Sequence, residues 1–230
     1  RSMNDSYQRP WPHERRRSAL PHPGGPMLNL PPVLTWLIGI NVAVHLVRFL
    51  LPARADDIVL INLGFIPALF SYGGPVPMLA LLSPLTYMFL HGGMAHLLIN
   101  MATLAAFGTP VERAFGGWRT VVYYVVSGLI AALIHFLVYP QSQFPLVGAS
   151  GAISGLFGGT LLLMRQFNRR ATDRRTNGAL IAIWVGITLM FAFFDIGIGG
   201  ESVAWLAHLG GFVAGLLLFP ILRPRPRGDF

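Results

Sequence analysis

GASGAISGLFGG, residues 148–159, lies inside a run from 120 to 164 that carries no Asp, Glu, Lys or Arg. A stretch without charge is what a lipid-spanning helix requires, yet glycine and serine stand where lipid would favour leucine. Gly151, Gly155 and Gly159 recur every fourth residue and form a ridge of small residues. Such a ridge lets a second helix approach until the backbones nearly touch. The stretch therefore reads as a membrane helix built for close contact, and Ser150 and Ser154 sit on that helix one turn apart.

Working outward, charge is also absent from 18 to 47, 58 to 111, 176 to 194 and 202 to 222. Charged residues make up 11% of the 230-residue chain and apolar ones 53%, whereas a soluble domain holds roughly a quarter charged. Crossing the hydrocarbon core takes about 20 apolar residues, so these runs accommodate six spans, at 33–51, 93–112, 119–139, 149–166, 179–197 and 204–222. Pro67, Pro75, Pro77 and Pro84 with Gly73 and Gly74 break the first half of the 58–111 run. That half reads as an irregular loop, partly buried or lying at the interface. The expected fold is an all-α polytopic membrane protein with six transmembrane helices.

Six spans put both termini on one side, and basic segments stay in the cytoplasm. With the termini inside, only Arg48 and Arg54 of the 17 basic residues, all arginine, fall outside. Arg113, Arg119, Arg165, Arg169, Arg170, Arg174, Arg175 and the arginines of both tails are then cytoplasmic. The net charge of +8 is spread over four such segments, which topology and anionic lipid explain better than nucleic acid does. There is no cysteine, hence no disulfide and no thiolate metal site. Residues 1–31, rich in Pro and Arg, are expected to be a disordered cytoplasmic tail, 32–222 the helical domain and 223–230 a second cytoplasmic tail.

Polar groups inside spans are costly and therefore informative. They are His45, Arg48, His91, His96, Asn100, His135, Ser150, Ser154, Asp195 and His208. Spans two, four and six run from outside to inside, so depth follows from distance along each span at about 1.5 Å per residue. His96 with Asn100, Ser150 with Ser154, and His208 all fall within roughly two turns of the outer ends. Gly211 and Gly215 continue the close-contact pattern after His208. A contact between the two glycine ridges would bring His208 within hydrogen-bond reach of Ser150.

A serine hydroxyl is a weak nucleophile until a neighbouring base takes its proton, and neutral imidazole suits that task near pH 7. Ser150 and His208 would form such a dyad. A tetrahedral intermediate also needs donors for its oxyanion. The side chains of His96 and Asn100 can donate, as can the Ser150 backbone N–H in the first turn of its helix. Gly148 and Gly151 leave room beside the hydroxyl for a substrate backbone. His45 and His135 have no evident partner and read as packing; Arg48 reads as snorkelling to the outer interface.

HGGMAHLLIN (91–100), GASG (148–151), AHLGGFVAG (207–215) and FGTPVERAFG (107–116) resemble the sequence blocks of the rhomboid intramembrane serine proteases. The resemblance implies a six-helix core, a membrane-embedded first loop, and a Ser-His dyad. It makes Ser150 the nucleophile, His208 the base, and His96 and Asn100 members of the oxyanion hole. By the same resemblance Glu112 is structural and His91 a structural neighbour. Some members carry Tyr four residues after the serine, packed on the catalytic imidazole; here that place is Ser154, leaving Phe193 or a hydrogen bond from Ser154 to orient His208.

Other protease chemistries lack their residues. The α/β-hydrolase elbow needs glycine where Ala152 stands. No H-E-x-x-H occurs, and apart from Glu112 at the inner end of span two the spans hold one acid, Asp195 near the outer end of span five, so a two-carboxylate mechanism has no facing pair. No cofactor, metal or nucleic acid is implied. The expected activity is cleavage of transmembrane protein substrates near the outer face of a bacterial-type plasma membrane, with the 53–92 loop and span five as candidate gates. A non-catalytic membrane-protein-binding relative and a small transporter are the alternatives.

Overall fold

The computed structural model describes residues 29–167, 178–179, 181–182, 184–186 and 204–224. Long helices within them are α1 (Pro32–Phe49), α5 (Met94–Phe115), α6 (Gly117–Val138), α7 (Ser150–Phe167) and α8 (Ala204–Leu222). Between α1 and α5 come α2 (Ala53–Leu63), the short α3 (Ala68–Ser71) and α4 (Ser83–Thr86), and two 3-10 turns, Met78–Leu82 and Tyr87–Phe89. Long helices lie within a few residues of the bounds expected for spans one to four and six. Of span five, the described positions between 178 and 186 are helical, while Phe193 and Asp195 lie outside the described residues. Among the described residues, Pro32–Phe49, Met94–Phe115, Gly117–Val138 and Trp205–Leu222 are long and apolar enough to cross a membrane.

Helix boundaries follow from local chemistry. Extended Pro31 precedes α1 and Pro32 opens it, a position where the missing N–H costs nothing. The first-turn amides of Val33 and Leu34 donate to the Glu112 carboxylate at 3.0 and 2.9 Å. Glu112 is only 6% exposed; it satisfies amides that have no acceptor within α1, and its negative charge faces the positive end of the helix dipole. Gly116, at φ 82, ends α5 and lets the chain reverse into α6 in a conformation open mainly to glycine.

The loop expected to be irregular contains an eleven-residue helix, α2. Its helix breakers begin only at Gly64 and Pro67, so Ala53–Leu63 is free to coil after Pro52. Beyond it, Phe65 and Leu146 exchange backbone hydrogen bonds of 3.1 and 2.8 Å, and the Ala68 amide donates to the Ser142 carbonyl at 3.0 Å. The loop thereby clamps the segment leading into α7.

α7 is the central helix, and every residue from Gly151 to Leu161 is buried. A Cβ on Gly211 or Gly215 of α8 would overlap the carbonyl oxygens of Gly151 and Gly155 respectively. On the α6 side, a Cβ on Gly155 would strike the Ser127 hydroxyl, and one on Gly159 would lie 2.7 Å from the Tyr123 hydroxyl. On the α5 side, Thr160 Oγ1 donates to the Phe107 carbonyl at 2.7 Å. Glycine therefore buys backbone proximity to two neighbouring helices at once.

Candidate functional site

Ser150 is the first residue of α7, so its backbone N–H precedes the first intrahelical acceptor. The approach to it passes through Gly148 at φ 119, a conformation that side chains rarely adopt. The Gly148 amide donates to the Tyr87 carbonyl at 3.0 Å, and the Tyr87 hydroxyl donates to the Gly128 carbonyl at 2.7 Å. Loop and α6 together hold the turn before the serine.

His208 lies one turn into α8, 2% exposed, with Nε2 2.7 Å from the Ser150 hydroxyl oxygen. The pairing follows from the glycine contacts. With Gly211 set against the Gly151 carbonyl, α8 sits close enough for an imidazole one turn earlier to meet the start of α7. Gly151 also faces Ala131 of α6, whose Cβ would be 2.6 Å from an added Cβ.

The His96 ring lies over Gly148: a Cβ there would be 2.8 Å from His96 Nε2 and 3.7 Å from the Ser150 hydroxyl oxygen. Thus His96, Gly148 and Ser150 share one small space. Asn100 is fully buried one turn further along α5, and its Nδ2 donates to the His96 carbonyl at 3.0 Å. Asn100 Oδ1 is buried without a hydrogen-bond partner among the described residues.

His91 precedes α5 and is 1% exposed, its ring edge-on to His96 with centroids 5.2 Å apart. Burial above all, then the neighbouring His96, His45 and Arg48, pushes the His91 imidazole down to about 3, so it is neutral at ordinary pH. His45 and His135 are buried, 7% and 2% exposed, on α1 and α6. Among the described residues no three His, Asp or Glu side chains gather as metal ligands.

Arg48 corrects the expectation of snorkelling. It is 8% exposed, with Nε and Nη2 donating to the Asp56 carboxylate at 2.7 and 3.0 Å and Nη1 donating to the His91 carbonyl at 2.8 Å. The carboxylate on α2 offers the guanidinium two parallel bonds inside the fold, a partner that reading the segment after α1 as an irregular loop does not supply.

Trp184 is a second residue that the sequence reading missed. Its Nε1 donates to the Ser154 hydroxyl at 3.4 Å, and its ring stacks on Phe157 and Phe212 with centroids 5.6 and 4.8 Å away. Ser154 and Phe212 lie one turn beyond Ser150 and His208 respectively, so this indole packs directly below that pair. An indole N–H inside a span needs an acceptor, a signal that was available beside Ser154.

The chain is similar in sequence to known proteins. Residues 80–225 match the family model described as Rhomboid domain. RHOMBOID-like protein 5 of Arabidopsis thaliana is 30% identical over 90% of this chain and 75% of its own length. "Putative rhomboid protease YdcA" of Bacillus subtilis (strain 168) is 29% identical over 83% of this chain and 88% of its own length. Rhomboid protease GluP of the same organism is 35% identical over 64% of this chain, but the match spans only 27% of GluP.

Proposed function

The chain belongs to the rhomboid family and is a multi-pass membrane protein, and we propose that it is an intramembrane serine endopeptidase acting through Ser150 and His208. The observation that carries this reading is the 2.7 Å contact between His208 Nε2 and the Ser150 hydroxyl. In the proposed reaction His208 takes the hydroxyl proton as Ser150 attacks the scissile carbonyl. The imidazolium then gives that proton to the leaving amine, leaving an acyl-enzyme. Water, deprotonated by His208, adds to the ester, and collapse of the second tetrahedral intermediate returns the proton to Ser150.

The oxyanion is assigned to the Ser150 N–H with the side chains of His96 and Asn100. The placement of His96 over Gly148 supports this, because donors fixed beforehand stabilise developing charge without reorganisation. Gly148 and Gly151 flank the nucleophile, with His91 and Ser154 behind the reacting groups. The proposed substrates are transmembrane proteins whose helix unwinds locally, since an intact helix keeps its carbonyls occupied. The proposed location is a bacterial-type plasma membrane, with residues 1–31 and 223–230 cytoplasmic and the reaction near the outer face.

Covalent labelling with a serine-directed fluorophosphonate in detergent tests the reading. Wild type is expected to label, and folded Ser150→Ala and His208→Ala are expected not to. Folded wild type that resists several probe classes, beside a serine protease that labels, would sink it and bring forward a non-catalytic membrane-protein-binding role.

A further inference from the structure

Arg48 ties together three segments that the chain brings from separate places. Its guanidinium leaves the end of α1, grips Asp56 in the first turn of α2 through Nε and Nη2, and reaches the His91 carbonyl through Nη1. All three donors are directed, and the planar fork can satisfy a carboxylate and a carbonyl at once, which an ammonium cannot do in the same geometry. His91 in turn stands edge-on against His96, and His96 lies over Gly148 beside Ser150.

We propose that Arg48, oriented by Asp56, is a positioning residue for the oxyanion side of the site: by fixing the His91 carbonyl it sets where the His96 ring stands over Gly148. The inference rests on the reading of Ser150 as nucleophile. It also gives α2 a role, because the carboxylate that aims Arg48 comes from the loop helix. The placement of the loop and the placement of an oxyanion donor are thus one mechanical unit. Arg48 touches no reacting atom; it acts through His91 and His96.

The conservative variant Arg48→Lys keeps the charge but loses the planar fork that grips the carboxylate through two bonds while a third donor reaches the carbonyl, and Asp56→Asn keeps the shape and removes the charge. Both would be compared with wild type in detergent for kcat and KM on a transmembrane substrate, for thermal midpoint, and for the imidazole nitrogen resonances of isotope-labelled histidine. For Arg48→Lys, kcat is expected to fall about tenfold or more, the scale on which a displaced catalytic group acts, with KM and thermal midpoint close to wild type and the His96 resonance shifted. Asp56→Asn is expected to move the same signals less. An unchanged kcat, or a loss matched by lost folded protein with the His96 resonance unmoved, would overturn the inference. Inactive wild type would overturn the protease reading and the catalytic consequence together, and the His96 resonance would still report whether Arg48 sets that ring.

Discussion

At the scale of single residues, the site depends on atoms that have no freedom to move. Gly148 combines φ 119 with a histidine ring where its Cβ would be. Gly148→Ala is expected to cost about 1–3 kcal/mol of stability through strained backbone and to lower kcat by about a hundredfold, because His96 must shift. Thermal denaturation beside steady-state cleavage checks both. For the proposed dyad, His208→Ala is expected to slow turnover by about a thousandfold or more through loss of the proposed general base. Turnover near wild type in that variant would remove His208 from the mechanism.

Between elements, the contacts that matter are those between backbones. Gly211→Ala puts a methyl into the Gly151 carbonyl, so α8 must retreat from α7 and carry His208 with it. The expected cost is about 1–3 kcal/mol for overpacking, with fluorophosphonate labelling of Ser150 slowed. Gly39→Ala, where nothing lies within 4 Å, is the matched control and is expected to leave labelling unchanged. Glu112→Gln tests the cap of α1. An amide group can accept from one of the Val33 and Leu34 amides but turns a donor toward the other. A lowered thermal midpoint is expected, worth about 1–3 kcal/mol, with activity per folded molecule retained. Equal stability would show that the two hydrogen bonds contribute nothing net.

For the whole molecule, the proposed orientation rests on the arginine distribution and on an even number of spans. The chain contains no native cysteine, so single cysteines report sidedness without background. Exposed Gly74 and Trp118 lie on the loop after α1 and near the start of α6. In sealed cells a membrane-impermeant thiol reagent is expected to label Gly74→Cys and to spare Trp118→Cys until the membrane is opened. The reverse pattern would invert the topology and put the site near the cytoplasmic face.

Much of this protein is determined by its sequence alone. Uncharged runs set the spans, because bare charge is too costly in lipid; among the described residues long helices stand close to the expected bounds of five of the six, and four of these are long and apolar enough to cross a membrane. Pairing of Ser150 with His208 was also legible, since glycines at fixed spacing on two helices announce a close approach. Only the tertiary structure decided what happens to Arg48, Asp56 and Trp184. A lone arginine near a helix end has two low-energy outcomes, water or a buried partner, and sequence spacing cannot choose between them when the partner arrives from a folded loop. Trp184 met Ser154 through the packing of separate helices, which hydropathy does not encode. What orients an imidazole or aims an oxyanion donor depends on directions across such contacts, and those directions exist only once the helices have packed.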